Sequence, residues 1–229
     1  MKNLVFFSLQ GNEKLSDRLA LKMGAQKGKA TCRKFPDGES YIRIHSHIKD
    51  KSVVLVCTLY RPDEQFLLLY FLCQTAKSLG AKIVCLAVPY LAYMRQDKAF
   101  NQGEGITALY FGKLISQSVD SIITIDPHLH RISSLSQVYQ IPNIVILAGK
   151  EISEWILQNV DHPVLIGPDA ESKQWVSDEA RKTKAPYLVL QKIKSGDNEV
   201  KVSIPKVGQL NLYPIPIAQR FSGQIFQKP

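Results

Sequence analysis

Residues 52–88 read SVVLVCTLYRPDEQFLLLYFLCQTAKSLGAKIVCLAV, and this stretch decides the fold. Ser52–Thr58 and Lys82–Val88 are too short for helices and rich in branched apolar residues, so each reads as a buried strand. The segment between them, Pro62–Leu79, reads as a helix. Pro62 suits a first turn, where its missing N–H would have had no partner. Asp63 and Glu64 favour the positive end of the helix dipole, and Gly80 suits a left-handed stop. Strand, helix, strand in succession implies a parallel sheet covered on both faces.

The alternation continues outward. Asn3–Ser8, Ser121–Ile125, Asn143–Leu147, Pro163–Ile166 and Tyr187–Leu190 read as further buried strands, and Lys14–Met23, Ile106–Ser116, Lys150–Gln158 and Glu171–Lys182 as helices. Thr31–Ile44 differs: TCRKF and SYIRI alternate around Pro36-Asp37-Gly38, a hairpin pattern. The expected class is α/β, with a boundary near Ala148-Gly149, where a second strand–helix series begins. The last 29 residues, from Lys201, break the pattern: they hold no Asp or Glu and four prolines, and Pro205, Pro214 and Pro216 interrupt any strand or helix.

With 229 residues, 45% hydrophobic and 21% charged, the chain can bury a sizeable core. No run of eighteen apolar residues occurs, and the apolar N-terminus breaks at Gln10-Gly11, so neither a membrane span nor a signal peptide is expected. A cytoplasmic location follows as the expectation. Cys32, Cys57, Cys73 and Cys85 form no CxxC pair and are expected as buried, reduced thiols. The formal charge of +9 fits phosphate-rich ligands; with no dense Lys/Arg run and no aromatic-interleaved basic stripe, nucleic acid is not the expected partner.

Parallel sheets place ligands at the carboxyl ends of their strands. After Lys82–Val88 comes PYLAYMRQDK, residues 89–98, in which Arg95 and Lys98 could hold phosphate oxygens or simply form a solvated salt bridge. After Ser121–Ile125 comes Asp126-Pro127-His128-Leu129-His130, where a carboxylate and an imidazole could order a divalent metal, or the histidines could be structural. After Pro163–Ile166 comes Gly167-Pro168-Asp169-Ala170-Glu171-Ser172. Asp169 there either faces an anion through a cation or caps the following helix, and capping is the stronger reading of that segment alone. There is no GxxxxGK loop, no GxGxxG after a strand and no GxSxG elbow.

Taken together, the segments FPDGE (35–39), PYLAYMRQDK (89–98), DPH (126–128) and GPD (167–169) resemble the ribose-phosphate pyrophosphokinase family in order and spacing, over about residues 1–200. PYLAYMRQDKAF is the specific signal, and DPHLHRI is similar to the archaeal-type branch. The resemblance implies two phosphoribosyltransferase-like domains with parallel sheets. The first would span 1–149 and carry the adenine-contacting hairpin; the second, 150–229, would be incomplete, with an atypical tail from about 205. It implies transfer of the diphosphoryl group of MgATP to O1 of ribose 5-phosphate, giving phosphoribosyl pyrophosphate and AMP. Phe35 would stack on adenine, with Asp37 and Glu39 bonding its edge. Arg95 and Gln96 would hold ATP, His128 would place Mg2+, and Asp169 would lie on the metal and ribose-phosphate side. The family's hairpin reaches into a neighbouring subunit, so a homo-oligomer, at least a dimer, is implied.

Two departures stand out. The family's flap carries a catalytic Lys-x-Arg pair, and Lys192-Ile193-Lys194 aligns with it, keeping the charge but losing the bidentate fork. The family also has an acidic pair and a Thr-Gly loop whose amides cradle the 5-phosphate. This chain has no Asp-Asp, and its tail matches no part of that fold. A truncation or frame change in the coding sequence is the expectation that would explain the acid-free tail and the short length, and an inactive truncated or regulatory homologue that binds nucleotide or a full-length relative is the alternative function.

Overall fold

The computed structural model describes residues 3–195 and 199–203, and only the backbone at 171, 191–195 and 199–203. The chain divides into two compact units, Met1–Ala148 and Gly149–Pro229.

The first unit is built on β1 (Leu4–Ser8), α1 (Glu13–Lys22), β2 (Gln26–Lys27), β3 (Ala30–Lys34), β4 (Ser40–Ile44), β5 (Ser52–Val56), α2 (Pro62–Ser78), β6 (Ile83–Val88), α3 (Thr107–Ser118), β7 (Ser121–Ile125) and β8 (Asn143–Ile146). Six strands form one sheet in the order β2-β1-β5-β6-β7-β8. Every pairing is parallel, with Val5 opposite Val53, Val53 opposite Val84 and Leu86 opposite Ile122. The carboxyl ends of the strands therefore share one edge, where the connecting loops gather.

Period-two alternation splits the strand side chains between the faces. Val5 and Phe7 join Leu55, Val84, Leu86 and Ile122 against Leu69, Leu72, Cys73 and Ala76 of α2 and Ile115 of α3, all essentially without solvent exposure. Phe6 and Val56 face the other way, against Ala20 of α1. Each such Leu or Ile contributes about 1.5–3 kcal/mol on burial. Helix α2 begins with Pro62 in its first turn and Asp63 and Glu64 beside it. Gly80 ends it at φ +80°, with its N–H donating to the Lys77 carbonyl at 3.0 Å and the next N–H, of Ala81, donating to Ala76 at 3.1 Å.

The second unit contains α4 (Gly149–Asn159), β9 (Leu165–Gly167), a short 3-10 turn at Ala170–Ser172, α5 (Lys173–Thr183) and β10 (Tyr187–Val189), followed by β11 (Gln191–Ser195) and β12 (Glu199–Ser203). Strands β9 and β10 pair in parallel, Leu165 opposite Tyr187. Helices α4 and α5 meet through the hydroxyl of Ser153, which donates to Glu179, and Glu179 also pairs with Lys182 at 2.7 Å.

Three details differ from the sequence reading. The helix expected from Glu171 starts at Lys173, because Asp169 first caps the 3-10 turn. β11 and β12 form an antiparallel hairpin, Gln191 opposite Ser203, so the change of pattern placed at Lys201 falls inside a strand. Cys57 and Cys73 are buried and Cys85 is half-buried, but Cys32, on β3, is exposed. All four thiols are free. The tail from about 205 lies outside the described residues. Among the described residues no helix is long and apolar enough to cross a membrane.

Candidate nucleotide site

The hairpin β3–β4 pairs Arg33 with Tyr41 and Lys34 with Ser40. Its tip closes through the Phe35 N–H, which donates to the Glu39 carbonyl at 2.7 Å, and the Gly38 N–H, which donates to the Phe35 carbonyl at 2.9 Å. Gly38 takes φ +94°, a conformation that favours glycine. Asp37 accepts the Glu39 N–H at 3.1 Å, so its carboxylate helps to form the turn it sits in. Phe35 stands edge-on to Tyr41, with centroids 5.8 Å apart, and the Arg33 guanidinium lies 4.6 Å from one ring centre and 4.5 Å from the other. The Phe35 ring is thus held in a small cation–aromatic cluster while remaining exposed.

The loop after β6 is anchored by alternate burial: Leu91, Ala92 and Met94 are inside, and Tyr90 and Arg95 are outside. Among the described residues no hydrogen bond or ion pair engages the Arg95 side chain. Gln96 is occupied, its amide donating to Glu104 at 3.2 Å. Glu104 also accepts from the side chain of Asn101 at 2.6 Å and from the N–H groups of Phe100 and Asn101 at 2.7 and 3.0 Å. These donors, led by the Asn101 amide, hold its carboxyl below the usual carboxylate range. Asp97 turns inward and pairs with Arg131 at 3.0 Å.

The loop after β7 starts at Asp126, in the left-handed region at φ +41°. Its Oδ2 accepts the Ala148 N–H at 3.2 Å, fastening the end of β7 to the residues just past β8. The His128 and His130 rings lie 4.3 Å apart. Among the described residues no three His, Cys, Asp or Glu gather as a metal cage. An imidazole in this loop could order part of the water shell of a divalent metal.

At the same sheet edge Asn12, which the sequence reading did not single out, is buried and accepts both the Thr58 N–H at 2.9 Å and the Thr58 hydroxyl at 2.7 Å. It joins the loops after β1 and β5. A lone Asn after a strand is too weak a signal to have found it.

In the second unit Asp169 caps the 3-10 turn: its Oδ1 accepts the Ser172 N–H at 3.1 Å, and the Ser172 hydroxyl donates to the Asp169 carbonyl at 2.6 Å. A Cβ on Gly167 would lie 2.5 Å from that hydroxyl, so the Gly-Pro-Asp sequence has a packing reason at its first position. The backbones of Lys192 and Lys194 lie on β11, opposite Val202 and Val200, and their side chains fall outside the described residues.

Residues 4–118 match the N-terminal domain of ribose phosphate pyrophosphokinase. This chain belongs to the ribose-phosphate pyrophosphokinase family. The ribose-phosphate pyrophosphokinase of Methanobrevibacter smithii is 34% identical over 177 residues, covering 76% of this chain and 58% of that relative. That of Bacillus subtilis is 28% identical over 204 residues, covering 88% of this chain and 63% of the relative. The chain thus spans somewhat under two thirds of the length of these family members. A crystal structure of phosphoribosylpyrophosphate synthetase from Mycobacterium smegmatis superposes with a TM-score of 0.71 at 21% identity, covering 88% of this chain and 67% of that one. The likeness shows the fold: α/β, phosphoribosyltransferase-like.

Proposed function

We propose that this chain is a ribose-phosphate diphosphokinase, moving the diphosphoryl group of MgATP to O1 of ribose 5-phosphate. The anomeric hydroxyl attacks the β-phosphorus, the bond to the α-phosphate oxygen breaks, and AMP leaves. Residues 1–149 form the nucleotide-binding domain, and the unit from 150 is the counterpart of the family's second domain. The observation that carries this reading is the pairing of the loops after β6 and β7 through Asp97 and Arg131, with Arg95 exposed at their edge and in no hydrogen bond or ion pair among the described residues. Arg95 offers a planar fork for phosphate oxygens, and Gln96 joins it by exchanging Glu104 for the ligand. Phe35, held by Arg33 and Tyr41, supplies a flat apolar face for adenine, with Asp37 and Glu39 beside its edge. Because this hairpin serves a neighbouring copy in the family, the working form is a homo-oligomer.

His128 would help to place the magnesium bound to ATP, which would supply positive charge beside the transferred phosphates. Asp169 stands where the family carries its acidic residue on the metal and ribose-phosphate side. Lys192 and Lys194 take the positions of the family's pair of catalytic flap cations.

A second reading is favoured by two sequence observations: Lys194 stands where the family carries Arg, and no Asp-Asp pair occurs. It is a homologue that binds nucleotide, or a full-length relative, without turnover. AMP release from MgATP by the purified chain, with and without ribose 5-phosphate, separates the two. Ribose-5-phosphate-dependent AMP supports the enzyme. ATP binding without AMP formation rejects it in favour of the binder.

A further inference from the structure

Asp97 is a carboxylate with almost no contact with water: its side chain is 1% exposed. One oxygen meets Arg131 Nη1 at 3.0 Å, and the other, Oδ2, is buried with no hydrogen-bond partner among the described residues. Burying a charge in this way is unfavourable, and an apolar pair of similar volume would serve stability as well or better. What the ion pair provides instead is a fixed relation between two loops. Asp97 directly follows Gln96 in the loop after β6, and Arg131 lies three residues past His128 in the loop after β7. The Arg131 guanidinium also lies 5.1 Å from the Phe100 ring centre, and Lys98 Nζ lies at the same distance, so the arginine is steered from a second side.

We propose that the Asp97–Arg131 pair is a clasp that sets the phosphate-holding loop against the histidine loop, and that Arg131 is a positioning residue for MgATP. The clasp rests on the nucleotide reading given above only in its consequence for binding; its mechanical part stands on the geometry. A ligand that must meet Arg95 through its phosphates and His128 through its metal needs both loops in register at once, and groups that orient a metal site from behind matter about 10- to 100-fold in affinity or activity.

The test uses the full chain. Hydrogen–deuterium exchange without nucleotide is compared for the native chain, Arg131→Met, Arg131→Lys and the double variant Asp97→Asn/Arg131→Met. The double variant leaves no unpaired buried charge, so it reports on the clasp even where Arg131→Met alone misfolds. The expected result is faster exchange in 95–101 and 127–131 together, with β6 and β7 unchanged and Arg131→Lys largely restored. Acceleration that stays within 127–131 in Arg131→Met, where the loop after β6 carries no substitution, or that spreads evenly over the first unit in either variant, overturns the clasp. Titration with a fluorescent ATP analogue and magnesium is the second arm, with affinity expected to fall about 10- to 100-fold in the double variant. Unchanged affinity with both loops loosened overturns the positioning role. A native chain that binds no MgATP sinks the nucleotide reading and the positioning role with it, while the exchange result still decides the clasp.

Discussion

Tyr93 donates its phenolic hydroxyl to Asp63, so the loop after β6 is tied to the first turn of α2. Tyr93 sits in the left-handed region at φ +62°, where a bulky residue is held only by its surroundings. The hydrogen bond to Asp63 raises the phenol pKa above its usual value, with partial burial and the carboxylate's charge adding in the same direction. A raised pKa means that the folded chain holds this proton more tightly than the unfolded one. The contribution is therefore complete below about pH 10, the ordinary tyrosine value, and is lost as pH climbs through the folded-state pKa. Tyr93→Phe should show a shallower loss of stability than the native chain between pH 9 and 11 (about the phenol range), measured by urea midpoints. Parallel slopes would reject the assignment.

Gly112 lies on α3 where an added Cβ would meet the Val138 carbonyl oxygen at 2.6 Å and Val138 Cγ1 at 2.4 Å. Alanine in a helix is favoured over glycine by about 1 kcal/mol. Here the backbone oxygen cannot step aside as a side chain could, and overpacking of this kind costs about 1–3 kcal/mol. Gly112→Ala should lower the thermal midpoint; a rise would mean that α3 shifts freely on its neighbours.

The parallel sheet was legible because its strands are short apolar runs bounded by clear helix signals, as Pro62 and Gly80 bound α2. The candidate loops were legible because they follow those strands. The chemistry inside the loops was not. Asp97 reads as one more charge in RQDK, and nothing in the string shows that it turns inward to meet Arg131, 34 positions later. Glu104, which occupies Gln96, lies beyond the motif for the same reason. The β11–β12 hairpin did have a signal: QKIKS and EVKVS alternate polar and apolar residues with period two, on either side of Gly196-Asp197-Asn198.

Tyr139 is 1% exposed, and its hydroxyl has no hydrogen-bond partner among the described residues. Burial alone pushes its pKa up strongly. An unsatisfied buried hydroxyl is a cost, so Tyr139→Phe should be neutral or stabilising by up to about 1 kcal/mol in chemical denaturation. A clear loss would reveal a partner for the hydroxyl, such as an ordered water.

Burial pushes the Cys57 and Cys73 thiols up to about 12, and the half-buried Cys85 is raised for the same reason. The thiolate is the reactive form, so these three should react slowly at neutral pH. Cys32 is exposed on the hairpin, and although partial burial raises its pKa as well, it is the accessible thiol. Native-state labelling with an aromatic disulfide should show one fast thiol, abolished by Cys32→Ser. A fast phase that survives that change would mean that the sheet opens to expose Cys85.

Arg95 separates ligand binding from folding more cleanly than any other site residue. It is exposed and, among the described residues, makes no hydrogen bond or ion pair, so Arg95→Ala should change stability by less than about 0.5 kcal/mol. A charge-assisted bond to a phosphate is worth about 1.5–3 kcal/mol, which is roughly a 10- to 100-fold loss of MgATP affinity. Arg95→Lys keeps the charge but loses the fork and should fall between the two. Calorimetric titration of the three proteins checks the order. Equal affinity for all three would make Arg95 a solvated loop residue and move the phosphate contact elsewhere on this sheet edge, with Lys98 the nearest remaining cation in the loop.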